Sequence, residues 1–341
     1  MTKDIYLVIG GCGFLGSHIV EQLVEKYPDA QVRILDLRRS FEAPKATYFI
    51  GDICDYDLMA KACTGATAVI HTASPHMGTR RDIMYRVNVE GTQTVIKACQ
   101  ACQVPTLVFT SSSSVVMGAQ GHIRNADETW PYPEHFFDYY GETKAKAEQL
   151  VLQANDPKGL RTCSLRPVGI FGPRDQQMVP KAMGALKKKA NLFQLGSNRI
   201  LIDCTYVTNV AHAHLLAVEK LPTFEAIAGE AFFITNDNPI LFWDQMRALW
   251  SLVGASTQPL VIIPDWLALI IYYIMLVITS ALTTIHPSLT SNAASVLKLL
   301  LTHRYFNITK AKTYLGYRPI VPLEDGFRRS AEWYQSTQKN S

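Results

Sequence analysis

Charge is scarce in this sequence. Asp, Glu, Lys and Arg make up 18% of 341 residues, the formal net charge is +4, and no basic run exceeds Lys187-Lys188-Lys189. Nucleic acid is therefore not an expected partner, and the three lysines read as a solvated helix face. A cleavable leader is not expected either: Met1-Thr-Lys-Asp4 leads directly into the apolar run Ile5–Ile9, without a basic region, a long apolar core or a small-residue cleavage site. The chain is expected to begin in the cytosol. Seven cysteines, scattered and odd in number, make no disulfide framework, so reduced thiols are expected. Cys99-Gln-Ala-Cys102 has the spacing of a metal or redox pair but lies in a helical pattern with no second pair nearby. It reads as packing, and no metal is expected.

What the chain has instead is alternation. Ile5–Ile9, Val32–Asp36, Tyr48–Ile50, Ala68–His71, Leu107–Ser111 and Thr162–Arg166 read as strands, with helices near Leu15–Tyr27, Asp57–Cys63, Ile83–Gln103 and Tyr139–Asn155 between them. Strand and helix in turn predict an α/β fold with a parallel, doubly wound Rossmann-type sheet. No repeat or low-complexity segment interrupts it. After about Pro173 loops and helices lengthen. The expected division is a dinucleotide-binding domain over 1–173, to which later segments return, and a smaller substrate lobe over 174–341.

The first strand runs into Gly10-Gly11-Cys12-Gly13-Phe14-Leu15-Gly16 and then a helix. Glycines there allow a tight turn and a close backbone approach to a pyrophosphate resting on the helix N-terminus. Asp36 closes the second strand twenty residues beyond Gly16. A carboxylate there can accept hydrogen bonds from both adenosine ribose hydroxyls and repels a 2′-phosphate, which favours NAD. Arg38 could receive that phosphate, so NADP stays open. Asp52-Ile53, after the third strand, can hold an adenine edge and face. Thr72-Ala73-Ser74 follows the fourth strand, at the carboxyl edge where such sheets bind ligands.

Tyr140 and Lys144 stand four apart in a predicted helix, a spacing that aims a phenol and an ammonium the same way. Phenol ionises near pH 10, and a fixed positive charge beside it favours the phenolate that a general base needs near neutrality. Moving that equilibrium by about three units takes roughly 4 kcal/mol. Thr110-Ser111-Ser112-Ser113-Ser114 ends the fifth strand about thirty residues upstream.

Ser, Tyr and Lys in this order resemble the catalytic set of the short-chain dehydrogenase/reductase superfamily. The glycine spacing and Asn88-Val-Glu-Gly-Thr92 are similar to its extended branch. Asn125-Ala-Asp-Glu-Thr-Trp-Pro131, Arg166-Pro167-Val168-Gly169-Ile170-Phe-Gly-Pro173, Gly229-Glu-Ala-Phe-Phe-Ile-Thr-Asn236 and Leu315-Gly-Tyr-Arg-Pro319 resemble the 3β-hydroxysteroid dehydrogenase-like family, most specifically its decarboxylating sterol-4α-carboxylate branch.

The resemblance implies oxidation of the 3β-hydroxyl of a 4α-carboxysterol, with Tyr140 as base and Lys144 as its pKa tuner and ribose ligand. Ser112 would hold the substrate oxygen, Ser113 being the alternative. Asn88 and the Pro167–Ile170 segment would join the cofactor site. It further implies a role in sterol C-4 demethylation at the cytosolic face of the endoplasmic reticulum, beside the C-4 methyl oxidase and the 3-ketoreductase. A homodimer, a triterpenoid substrate in a specialised pathway and another 3β-hydroxysteroid dehydrogenase activity remain open. A sugar-nucleotide epimerase or a cofactor-bound redox sensor fits less well. The late apolar segment suits a lipid better than a charged sugar, and Ser112, Tyr140 and Lys144 are intact.

Two positions depart from the family pattern: Cys204 stands where an aromatic is usual and Thr208 where a small residue is usual, both close to the expected substrate cavity. His76 could meet the carboxylate, although a solvated loop histidine is the plainer reading. Within the apolar segment 261–285, Trp266–Leu282 carries no charged side chain over seventeen residues, the short limit for crossing a bilayer. A surface-lying helix or shallow hairpin, a buried or dimer-forming helix, and a span are the alternatives, the first being favoured.

Overall fold

The computed structural model describes residues 3–118, 121–285 and 293–339. Its first half alternates as expected: β1 Ile5–Ile9, α1 Phe14–Lys26, β2 Gln31–Asp36, β3 Thr47–Ile50, α2 Tyr56–Cys63, β4 Ala68–His71, α3 Arg81–Tyr85, α4 Thr92–Ala101, β5 Thr106–Thr110, β6 Ile123–Ala126, α5 Tyr139–Gln153 and β7 Arg161–Pro167. The second half adds β8 Ile170–Phe171, α6 Met178–Lys187, β9 Phe193–Leu195, β10 Leu201–Ile202, β11 Thr205–Tyr206, α7 Val207–Lys220, β12 Glu230–Ile234, β13 Ile240–Leu241, α8 Phe242–Ser251, β14 Val261–Ile263, α9 Asp265–Ile285, α10 Ala293–Leu300, β15 Arg304–Phe306 and α11 Leu323–Lys339.

Seven strands form one sheet in the order β12-β7-β5-β4-β1-β2-β3. Every pair in it is parallel, with Val8 of β1 opposite Ile34 on one side and Ile70 on the other. The strand order reverses at β1, the switch point at which a doubly wound sheet opens a crevice at its carboxyl edge. Both faces are covered, which is why the central strands are apolar on both sides. Val8, Ile34 and Ile70 pack with Ile19 and Val20 of α1 and Val210 of α7. Leu7, Ile9 and Val69 face the other way, against Met59 and Cys63 of α2 and Val95 and Cys99 of α4. Each such side chain, fully buried, contributes roughly 1.5–3 kcal/mol.

The predicted helix Ile83–Gln103 is not continuous. A π-helical turn over Arg86–Gly91 separates α3 from α4. It turns Asn88 inward to 1% exposure, and Gly91 passes so near Ile53 that a Cβ there would lie 2.7 Å from its Cγ2. Such bulges collect at functional sites.

The division at 173/174 is crossed in both directions. α7 packs on α1, and β12 joins the main sheet beside β7, so much of the second half returns to the first domain. Conversely β6 leaves the first half to pair with β15 in a small sheet of order β13-β10-β15-β6. The rest of the lobe, α6, α8 and α11, closes around Phe171, Met183, Leu249 and Phe327. Among the described residues no helix is long and apolar enough to cross a membrane.

Candidate active site

The carboxyl edge of the sheet carries nearly every residue singled out by motif. At β1 the chain turns through Gly10 at φ +80°, and a Cβ on Gly10 would lie 2.7 Å from the Ala73 nitrogen. A Cβ on Gly16 would lie 2.1 Å from the Gly10 carbonyl oxygen. Backbone meets backbone here, leaving the amides at the start of α1, with Phe14 and Leu15 in its first turn, open to a pyrophosphate. Asp36 stands beside this turn. Its carboxylate accepts from the Cys12 amide at 3.0 Å and the Leu37 amide at 2.8 Å, which fixes it toward the adenosine end of such a site. Arg38 is exposed.

Asp52 accepts from the Cys54 amide at 2.9 Å and pairs with Arg86 of the π-helical turn at 2.8 Å, while Ile53 is buried beside it. The Thr72 hydroxyl donates to the Ile9 carbonyl at 2.9 Å, tying the ends of β1 and β4. The Ser74 hydroxyl donates to Asn88 Oδ1 at 2.9 Å, and Asn88 Nδ2 donates to Thr143 Oγ1 at 3.0 Å. Asn88 thus bridges the end of β4 to α5. Past β7, Gly169 turns at φ +49°, where a Cβ would lie 3.2 Å from the Asp203 carbonyl oxygen. The Thr205 hydroxyl donates to the Val168 carbonyl at 2.7 Å and so fixes the Pro167–Ile170 segment.

At the chemistry end, Asp138 caps α5 by accepting from the Gly141 amide at 2.7 Å. A Cβ on Gly141 would lie 2.7 Å from the Ser114 carbonyl oxygen, so this glycine lets the helix press against the serine loop. That contact brings Tyr140 to Ser112. The hydroxyls of Ser112 and Ser74 both reach its phenol. Ser112 Oγ also accepts from the Ser114 amide at 3.1 Å, whereas Ser113 is buried. Of the two serines left open by the sequence, Ser112 is the one beside the phenol. Tyr139 faces away, its ring 4.9 Å from the Arg81 guanidinium.

Lys144 departs from expectation. It is 2% exposed, its Nζ donates to the Thr110 carbonyl at 2.6 Å and lies 4.1 Å from the centre of the Phe109 ring. Burial pushes its pKa down to about 7, against an upward pull from Glu148. The expected depression of the Tyr140 pKa is correspondingly absent. Burial pushes the phenol up to about 12, the Asp138 carboxylate adds to the rise, and only the Ser112 and Ser74 hydroxyls oppose it. The ammonium donates to a carbonyl and lies over a ring face.

Four residues beyond Lys144 on the same helix stands Glu148, which the motif reading passed over. It is fully buried and pairs with Arg166 of β7 at 2.7 Å. Ser164 donates to it at 2.8 Å and the Tyr132 hydroxyl at 2.7 Å. Burial works against its ionisation, but Arg166 and the hydroxyls of Tyr132 and Ser111 outweigh burial and hold it below the usual carboxylate range. The available signal was an Arg within the apolar run of β7 and a Glu continuing the four-residue row from Tyr140.

Other motif residues lie elsewhere. His76 is exposed in the loop after β4, where its carbonyl accepts from the Thr79 amide at 3.1 Å. Cys204 is 1% exposed in the lobe core with Phe171 and Met183. The Thr208 carbonyl accepts from Gln22 of α1 at 2.9 Å. Cys204 also borders the Pro167–Ile170 segment, since a Cβ on Gly169 would lie 3.5 Å from the Cys204 Cα.

Comparison with known proteins places this arrangement. The chain is 40% identical over 341 residues to the decarboxylating sterol-4-alpha-carboxylate 3-dehydrogenase ERG26 of Candida albicans, covering 96% of each chain. It is 39% identical over 351 residues to the corresponding decarboxylating enzyme of Mus musculus, covering 100% of this chain and 95% of the other. Among solved structures, gox2253 superposes with a TM-score of 0.79 at 26% identity, covering 98% and 99% of the two chains. A UDP-glucose 4-epimerase of Thermotoga maritima superposes at 0.75 with 22% identity and the same coverage, a likeness of fold alone. The model of the 3-beta hydroxysteroid dehydrogenase/isomerase family matches residues 7–264, and the chain belongs to that family of dehydrogenases.

Proposed function

We propose that this protein oxidises the 3β-hydroxyl of a 4α-carboxysterol to the ketone, with loss of carbon dioxide, in sterol biosynthesis. The observation that carries the reading is the meeting of the Tyr140 phenol with Ser112 at the sheet's carboxyl edge, beside a backbone-lined glycine turn. Near-full-length relatives named for this reaction supply the substrate class.

The residues present fit NAD. Gly10, Gly11, Gly13 and Gly16 would hold the pyrophosphate, Asp36 the adenosine ribose, and Ser74, Asn88 and the Pro167–Ile170 segment the nicotinamide half. Asp36 favours NAD over NADP, because a second negative charge beside that fixed carboxylate is repelled. When bound, NAD in its oxidised form supplies the hydride acceptor and a positive charge.

Tyr140 takes the proton of the substrate hydroxyl as the C3 hydride leaves. Burial holds the phenol above its usual range, and a positive charge near it favours the phenolate that accepts this proton. Lys144, held by Thr110, offers its ammonium to ribose hydroxyls. Ser112 donates to the substrate oxygen as it becomes a carbonyl. The product carries a ketone beta to a carboxylate. Carbon dioxide then departs with its bonding electrons passing to the carbonyl oxygen, and the hydrogen bond from Ser112 stabilises the resulting enolate. Protonation at C4 completes the reaction.

Incubating the pure protein with NAD and a 4α-carboxysterol should give NADH, the decarboxylated 3-ketone and carbon dioxide in equal amounts, read by absorbance and mass spectrometry. NADH without carbon dioxide would reduce the assignment to a plain 3β-hydroxysteroid dehydrogenase. Absence of NADH with sterols, but formation with a 4-carboxylated triterpenoid, would move the substrate class.

A further inference from the structure

Asn88, carried inward by the π-helical turn, leads to the Tyr140 phenol through hydrogen bonds whose directions are fixed by proton counting. The Thr143 hydroxyl donates its one proton to the Tyr140 carbonyl at 3.0 Å, one turn back on α5. Toward Asn88 it can therefore only accept, and it does so from Nδ2 at 3.0 Å. That contact orients the amide. Oδ1 is left facing Ser74, whose hydroxyl donates to it at 2.9 Å. A serine hydroxyl has one proton and two lone pairs, so Ser74 meets the Tyr140 phenol with a lone pair and the phenol is the donor.

The Asn88 backbone is held from behind in the same way. Thr92 donates its single hydroxyl proton to the Asn88 carbonyl at 2.6 Å. His71 Nε2, 3.0 Å from that hydroxyl oxygen, must then be the donor to it. Burial pushes the His71 pKa down to about 3, with Lys144 adding to the fall, so the ring is neutral and carries this one proton. Its Nδ1 accordingly has no partner among the described residues. β4, the π-helical turn and α5 together hold one amide in one orientation.

That setting suits a phenol and not a base. A phenolate has no proton to give, and two lone pairs would then face each other across the contact with Ser74. Ser112, whose hydroxyl donates to Ser114 Oγ at 3.1 Å, is taken up by the substrate oxygen during turnover. We propose that Ser74 is the second hydroxyl serving the base, its proton pointing to Asn88 Oδ1 while Tyr140 is a phenol and turning to the phenolate when Tyr140 is ionised. No covalent bond changes at Ser74; only its hydroxyl rotates. A hydrogen bond to a charged oxygen is the stronger of the two, so the turn favours the phenolate and lowers the pH at which Tyr140 becomes a base. Ser74 and Asn88 are positioning residues acting through Tyr140, and the inference rests on the proposed role of Tyr140 as that base.

The test compares Ser74→Ala and Ser74→Thr with the native full chain, using NAD and a 4α-carboxysterol across a range of pH. Ser74 is exposed, so neither change opens a core cavity. In Ser74→Ala the acid limb of kcat should move up by about one unit. NADH formation at pH 7 should be about tenfold slower, with the deficit closing as pH rises, while the Kd for NAD stays within about twofold. Ser74→Thr, which keeps the hydroxyl, should restore the native limb. An unmoved limb with weakened NAD binding overturns the proposal, because Ser74 is then a cofactor ligand alone. Equal slowing at every pH overturns it too, as does a Thr variant that behaves like Ala. Ultraviolet difference titration with NAD bound, each protein read against its own Tyr140→Phe form, follows the phenolate without substrate. The same upward shift is expected there in Ser74→Ala. Full turnover in Tyr140→Phe would instead remove the base itself, so failure of that reading and failure of the Ser74 inference are separate results.

Discussion

The two halves of the sheet's carboxyl edge hold their residues by different physics. Around β1, β2 and β4 the fit is steric: Gly10 and Gly16 leave no room for a methyl, and Thr72 ties strand ends through a backbone carbonyl. Around β5, α5 and β7 the fit is electrostatic, with Lys144 on the Thr110 carbonyl and Glu148 locked to Arg166. The first region fails when volume is added. The second fails when charge or an oxygen is removed at constant volume.

The sharpest break of that contrast is Tyr140→Phe, which keeps the ring and removes one oxygen. Turnover should fall by about 10²–10⁴, measured by steady-state NADH formation. Tyr139→Phe, whose ring meets Arg81 instead, should stay within about twofold. If the two variants behave alike, the base is elsewhere.

Next is Glu148→Gln, nearly isosteric. It leaves Arg166 buried and uncompensated, and should cost about 3–5 kcal/mol in denaturant unfolding. A loss near zero would mean that water reaches the pair.

Where the two regions meet, behind Gly169, Asp203 provides a test by pH. Burial pushes its carboxyl up to about 7, with the Phe306 amide opposing and Asp237 adding to the rise. The folded state therefore holds a proton that the unfolded state has released between the unfolded pKa of 3.8 and about 7. Stability contributed by this group is full below 3.8 and is lost as pH rises through 7. Asp203→Asn should then gain on the native protein by a few kcal/mol above pH 7 and by progressively less toward pH 4. A pH-independent difference in melting temperature would remove Asp203 from the account.

The smallest effects belong to the steric region. Gly16→Ala should cost about 1–3 kcal/mol and weaken dinucleotide binding, because its methyl meets the Gly10 carbonyl. Gly184→Ala, in α6 with nothing within 4 Å of the added methyl, should instead stabilise by about 0.5–1 kcal/mol. Equal effects at both glycines would mean that the Gly10 carbonyl does not restrict position 16.

The steric region was the more legible in sequence, because its devices are local. Strand, glycine turn, helix and Asp36 follow one another within a single βαβ unit. Six strands of the main sheet were visible as apolar runs, while Glu230–Ile234 showed only as a motif whose pairing with β7 depends on contact across the fold. The electrostatic region hides its logic in distant partners. Nothing near Lys144 in the chain announces that Thr110, thirty-four residues earlier, captures its ammonium. Among four adjacent serines, the resemblance ranked Ser112 over Ser113, and the physical reason shows only where Gly141 lets α5 press against the loop. The π-helical turn at Arg86–Gly91 was masked because helical periodicity continues across a one-residue slip.

Tyr140, Lys144 and Glu148 stand in one row on α5, four residues apart, the outermost at the substrate and the innermost clamped into β7. The helix is thus a lever whose fulcrum lies in the core. No separate hinge or lid carries the proton-handling group, and little can loosen at the reacting end before the buried end lets go. On warming, turnover and the folded baseline should therefore be lost over the same interval. A substitution that secures the far end of α5 would protect catalysis at a distance of two helical turns, without touching a single group at the substrate.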